Sequence, residues 1–182
     1  LIKDEKFIEA SQKAEHLLRQ GKENPKLAKL QELVQRELER ERRIIVFVQY
    51  RDMAALLHKI LGKAESARPV VFIGQQKKFG RGMSQKEQLD IIRRFKEGEF
   101  NILLATSIGE EGLDIEETDT VIFYEPVPSE IRSIQRAGRT ARTRPGKVII
   151  MMVRGTADEA YYWSAYHKGR KMQKMLKQMS LK

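Results

Sequence analysis

Five short, unbroken apolar runs rich in β-branched residues recur along the chain: residues 44–48 (IIVFV), 70–73 (VVFI), 102–105 (ILLA), 121–124 (VIFY) and 148–153 (VIIMMV). Runs of this length without alternation predict strands buried on both faces, as in a parallel sheet. Helical patterns stand between several of them. Residues 52–61 are amphipathic, and Ser84-Gln85-Lys86-Glu87 is a capping box leading into Leu89, Ile92 and Phe95. Asn24-Pro25 opens a helix carrying Leu27, Leu30, Val34 and Leu38, and Thr156-Ala157-Asp158-Glu159 is a second box. The order predicts an α/β fold, an open and mainly parallel sheet of about five strands or more, covered by helices on both faces.

Both ends read as helical extensions of that core. Residues 1–20 carry a stripe through Phe7, Ala14, Leu17 and Leu18 and break at GKENP. The last helix continues past Trp163 into Met172, Met175, Leu176 and Met179, a stripe that faces a core or a partner. The expected organisation is a helical tail over 1–23, the sheet domain over 24–155 and a C-terminal basic helix over 156–182. Gly62, Gly98 and Gly155 read as turn residues, and Asp158 and Glu159 as cap residues.

Composition narrows the classes of function. At 182 residues and 41% hydrophobic content the chain supports one ordinary core. No apolar run approaches the roughly 20 residues of a membrane span, and no signal-peptide pattern opens it. The absence of cysteine excludes disulfides and thiolate metal sites and suggests an intracellular protein; the expected location is the cytoplasm of a prokaryote. His16, His58 and His167 are too scattered for a metal site, and none is expected. The net charge of +10 is segregated: residues 74–96, 132–147 and 167–182 carry +5, +6 and +6, whereas residues 97–131 hold ten acids and no base. Segregation of this kind points to a polyanion, because a merely solubilising surface mixes its signs. Arg136, Arg139, Arg142 and Arg144 lie within nine residues, with no acid between Glu130 and Asp158. Their counter-charge comes from outside the segment.

In open parallel sheets, ligands gather beyond the carboxyl ends of the strands. The loops that follow the predicted strands are polar and glycine-containing, and they bring Arg51, Gly74, Gln75, Thr106, Gly109, Gly112, Asp114, Gln135 and the arginine cluster to one edge. Four such loops on one edge predict a binding surface.

The run ILLATSIGEEGLDI followed by SIQRAGRTAR resembles motifs V and VI of superfamily 2 helicases, and IIVFVQYRD resembles motif IV. From about Asn24 to Trp163 the chain is similar to the second RecA-like lobe of the Hef/FANCM family of DNA-fork helicases. The resemblance implies an ATP-dependent motor lobe in which Arg139 and Arg142 are arginine fingers on the γ-phosphate and Gln135 reaches that phosphate or the attacking water. It implies that Asp114 meets the ribose, that the backbone at Gly112 approaches the nucleotide closely, and that Mg2+ is held mainly by the other lobe. It further implies that Thr106, Ser107, Gln85, Gly74 and Gln75, with Arg51 as an addition, contact the backbone of single-stranded DNA at forks. Ala141 stands where motif VI usually has glycine. The residues before Asn24 match the place where this family inserts a helical domain between the lobes.

Neither a G-x-x-x-x-G-K-[ST] phosphate loop nor an Asp-Glu-x-His or Asp-Glu-Ala-His box occurs in these residues, so the chain reads as half of a motor that needs a first RecA-like lobe. Two other readings stay open. One is a stand-alone basic nucleic-acid-binding module with no ATP role, which would not need Gln135, Arg139 and Arg142. The other is the equivalent lobe of an RNA helicase, since phosphate contacts do not distinguish the sugars. A metabolic nucleotide-binding enzyme fits poorly, because no G-x-G-x-x-G turn follows any strand.

Overall fold

The computed structural model describes residues 4–22, 24–74, 82–106, 118–126, 146–164 and 166–167. The elements run α1 (Glu5–Arg19), α2 (Pro25–Leu38), β1 (Ile44–Phe47), α3 (Arg51–Leu61), β2 (Pro69–Phe72), α4 (Gln85–Lys96), β3 (Ile102–Ala105), β4 (Thr120–Phe123) and β5 (Lys147–Ile150). Residues 157–164 are helical again. All five expected strands form within a few residues of the apolar runs and pair in parallel in the order β2-β3-β1-β4-β5.

Alternate residues of the strands face two separate cores. Ile44 and Val46 join Leu30, Val34, Leu57, Leu104 and Ile122 beneath α2 and α3. Ile45 and Phe47 join Phe72, Leu103, Phe123 and Phe95 of α4, with Phe47 stacked on Phe123 at 5.3 Å. Each fully buried large aliphatic side chain contributes roughly 1.5–3 kcal/mol. The three inner strands are buried along their whole length, but β2 and β5 are only half covered. The expectation of full burial therefore fails at these two strands, because among the described residues each stands at one end of the sheet with a neighbouring strand on one side only.

Helix ends follow local chemistry. The Asn24 side chain accepts the Lys26 N–H ahead of Pro25 at the first turn. In α4 both halves of the capping box form: Ser84 Oγ accepts the Glu87 N–H at 3.3 Å and the Glu87 carboxylate accepts the Ser84 N–H at 2.7 Å. Ser84→Ala should cost about 1 kcal/mol, read as a lower urea midpoint at unchanged slope. The helix closes on Gly98 at φ 81°, with the Glu99 N–H reaching the Arg94 carbonyl at 3.0 Å, a conformation for which glycine is the least costly residue.

The face that α4 buries differs from the expected stripe. Gln88 and Phe95 are buried and Ile91 and Ile92 pack beside them, while Leu89 is 60% exposed. Strict spacing by three drifts around a 3.6-residue helix, so Leu89 lies about a third of a turn away from Phe95. At the second box the pattern is shifted. The Thr156 hydroxyl accepts from the Asp158 N–H, and the Glu159 carboxylate takes the N–H of Gly155, which sits at φ 72°. Asp158 does more than cap: it pairs with Lys26 at 2.5 Å and accepts the Val153 N–H, tying the C-terminal helix to the start of α2.

Helix α1 buries no residue, and Phe7, Ile8, Leu17 and Leu18 are exposed. Asp4 caps its start by accepting from Lys6 and Phe7. Among the described residues no helix is long and apolar enough to cross a membrane.

Candidate nucleotide and nucleic-acid edge

The strand register makes this edge level. Phe72, Ala105, Phe47, Phe123 and Ile150 are successive neighbours across the sheet, so all five strands end together. The ladder carries one step further, with Thr106 N–H on Phe72 O, Val48 N–H on Ala105 O, Tyr124 N–H on Phe47 O and Met151 N–H on Phe123 O. Beyond that step the described residues after β1, β2, β4 and β5 leave the sheet, and α3 starts after β1; such edges are where phosphates find N–H groups and the positive ends of helix dipoles.

Four of the sequence-predicted residues are described, and they gather at the β2, β3 and β1 ends. Arg51 is the first residue of α3, and its guanidinium donates to the Gly74 carbonyl at 3.1 Å. That bond bridges the end of β3, which lies between the two. Thr106 directly follows β3, and Gln85 is exposed at the first turn of α4. Arg51 thus braces the loop after β2. Gln75, Ser107, Gly112, Asp114, Gln135, Arg139 and Arg142 lie outside the described residues. So do Ala141 and the methionine stripe.

Sequence reasoning passed over Gln88. It is buried one turn beyond Gln85, and its amide donates to the Ile73 carbonyl at 2.9 Å, while the Met83 N–H reaches Gly74 O at 3.4 Å. These bonds fasten the α4 start to the loop after β2. A glutamine on the apolar face of a helix was the available signal, since a buried amide needs a partner.

The β1 and β4 border is also polar. The connections after these neighbouring strands leave in opposite directions along the sheet, the arrangement that opens a crevice at the carboxyl ends. Glu125, just past β4, accepts the Gln49 N–H at 3.0 Å. Burial raises its pKa, as does the nearby Asp158 charge, against the lowering effect of that bond and of Lys26. The Tyr124 ring is buried under the Lys26 ammonium at 5.0 Å from its centre; burial and then the Glu125 and Asp158 charges push its hydroxyl pKa upward.

The opposite edge holds a purely structural cluster that the sequence did not flag. Glu37 is fully buried on α2 and accepts from Arg42 at 2.8 Å, Thr120 at 2.9 Å and Lys147 at 2.7 Å, joining the helix to the amino ends of β4 and β5. Burial would raise its pKa; the three hydrogen bonds and the Lys147 charge outweigh this and bring it down to about 2.

Among the described residues no group of three or more acid or histidine side chains could hold a metal ion.

The five-stranded parallel sheet with its covering helices is a RecA-like fold, matching that of helicase C-terminal lobes. The chain belongs to the helicase conserved C-terminal domain family, which matches residues 25–144. Its similarity runs to the Hef and Mph1 branch of superfamily 2. It is 46% identical to the Pyrococcus furiosus Hef helicase domain, with a TM-score of 0.72 over 90% of this chain and 33% of that one. It is 47% identical over 181 residues to a Methanocaldococcus jannaschii protein named as a candidate ATP-dependent RNA helicase, covering 98% of this chain and 23% of that protein. It is 45% identical over 136 residues to the ATP-dependent DNA helicase mph1 of Aspergillus niger, covering 74% of this chain and 12% of that protein. The chain thus spans a quarter or less of the curated relatives it matches.

Proposed function

We propose that this chain is the second motor lobe of an ATP-dependent DNA helicase or translocase that acts on forked or branched DNA. The observation that carries the reading is the level carboxyl edge, on which the loops bearing the motif IV, V and VI residues begin or end. Residues 24–155 form the lobe, and α1 is the tail of a helical insertion whose partners lie elsewhere, consistent with its having no buried residue.

In this reading Arg139 and Arg142 offer planar cations to the terminal phosphate, Gln135 orients the attacking water, and Asp114 and Gly112 hold the nucleoside end. The metal supplies further neutralisation of the phosphates when bound, from ligands in the first lobe. Thr106, Ser107, Gln85, Gly74 and Gln75 grip the strand backbone through hydroxyls, amides and N–H groups, and Arg51 with Gln88 keeps that loop in place. Nucleotide bridging draws the two lobes together, and its loss lets them reopen a step further along the strand.

The isolated chain should hydrolyse no measurable ATP even with saturating single-stranded DNA, whereas the full-length protein should show DNA-stimulated turnover. Robust turnover by the isolated chain would refute the two-lobe reading. A second reading, an RNA helicase lobe, is favoured by the name of the M. jannaschii relative. Strand displacement by the full-length protein on forked DNA against a matched RNA duplex separates the two, and the first reading requires the DNA fork to be the better substrate.

A further inference from the structure

Two exposed apolar helix faces differ in chemistry. On α1 the exposed side chains are mainly aliphatic, and the charges between them are of both signs, paired as Lys13 with Glu9 and Arg19 with Glu15. A face of this kind suits a protein partner. The C-terminal helix instead gathers rings. Tyr161, Trp163 and Tyr166 are 55%, 46% and 42% exposed. Trp163 meets Tyr162 edge-on at 5.2 Å and Tyr166 edge-on at 5.7 Å, Tyr162 and Tyr166 are stacked at 6.5 Å, and His167 lies 6.1 Å from the indole. Positions 162, 163, 166 and 167 are three and four apart and so share one face. After Glu159 the chain has no acid at all, and residues 167–182 carry six Lys or Arg.

We propose that this aromatic face is a stacking platform for the bases of a single strand, a second nucleic-acid contact beyond the backbone grip at the sheet edge. Rings with polar tips tolerate the exposure seen here and offer π-faces to any base, and the cations that follow along the sequence supply charge for phosphates; together these are the two elements of sequence-independent single-strand binding. An aliphatic or mixed-charge face would supply neither. The position is suitable as well. The Lys26–Asp158 pair, 2.5 Å apart, and the Val153 N–H bond anchor the start of this helix beside Tyr124 at the carboxyl edge, so a strand leaving that edge meets the rings within about two helical turns.

Trp163 is the only tryptophan in the chain, so its fluorescence reports the site directly. Titrating the whole chain with dT20 should quench that emission saturably, and a blunt duplex of equal length should not. By anisotropy of labelled dT20, Trp163→Ala should weaken binding at least about fivefold, Trp163→Phe should stay within about twofold, and Tyr166→Leu, which keeps apolar bulk but removes the ring, should also weaken it at least about fivefold. The platform is refuted if saturating dT20 leaves the emission unchanged, if the duplex quenches equally, or if Tyr166→Leu binds as the wild type does; the last result would mark the face as a protein-docking surface. Failure here is separable from failure of the motor reading, because quenching by dT20 does not require ATP hydrolysis.

Discussion

Arg142→Ala in the full-length protein should lower DNA-stimulated ATP turnover by about three orders of magnitude, with single-strand affinity changed only a few-fold. The size follows from what an arginine finger does: it meets charge that grows on the terminal phosphate during hydrolysis, in a closed site where water cannot substitute for it. The sequence context supports the assignment, since no acid lies between Glu130 and Asp158 to neutralise the cluster from within its own segment. Arg142→Lys should fail to restore the rate, because an ammonium offers a point charge in place of a planar fork. Arg139→Ala should lower turnover in the same direction. Steady-state phosphate release with saturating DNA measures all three, and near-normal turnover of Arg142→Ala would end the finger assignment.

Glu37→Ala should destabilise the lobe by about 3 kcal/mol, the cost of leaving Lys147, Arg42 and Thr120 without their common acceptor at a fully buried site. Arg42 and Lys147 are themselves partly exposed and can turn toward water, which keeps the loss near the lower end for a broken buried pair. The same carboxylate gives the fold an acid limit. Its pKa falls from an ordinary 4.5 to about 2 on folding, so the stabilisation is complete above about pH 4.5 and is lost as pH drops toward 2. That window is worth on the order of 3 kcal/mol. Urea denaturation at pH 7 and at pH 3 should show a steep loss for the wild type and a shallower one for Glu37→Gln, which cannot titrate. Equal pH slopes in the two proteins would remove Glu37 from this role.

Glu37 also shows where reading the sequence stops. On α2 it falls beside Leu30, Val34 and Leu38, and the pattern by itself marks a polar interruption of an apolar stripe. Its partners on the strands lie 83 and 110 residues away, and only the sheet order brings the starts of β4 and β5 over the end of α2. Lys26 and Asp158, 132 residues apart, are the same case at the opposite edge. Arg51 could be picked out as a functional candidate from its place after a strand, yet its bond to Gly74 depends on β3 inserting between β1 and β2. Leu89 departs from the expected face for a local reason, the drift of a three-residue spacing around the helix.

Local signals were sufficient wherever the physics is local. Unbroken β-branched runs become strands because burial on both faces rewards every residue, and caps such as Asn24 and Ser84 act within one helical turn. Charge segregation and the motif series were likewise readable, since both are properties of order along the chain. The tertiary structure alone decided the strand order, the level edge, the half-covered end strands and the long-range pairs at Glu37 and Lys26. These depend on which distant segments meet, and contacts between distant segments are set by packing of the whole sheet and its helices, which no short window of residues contains.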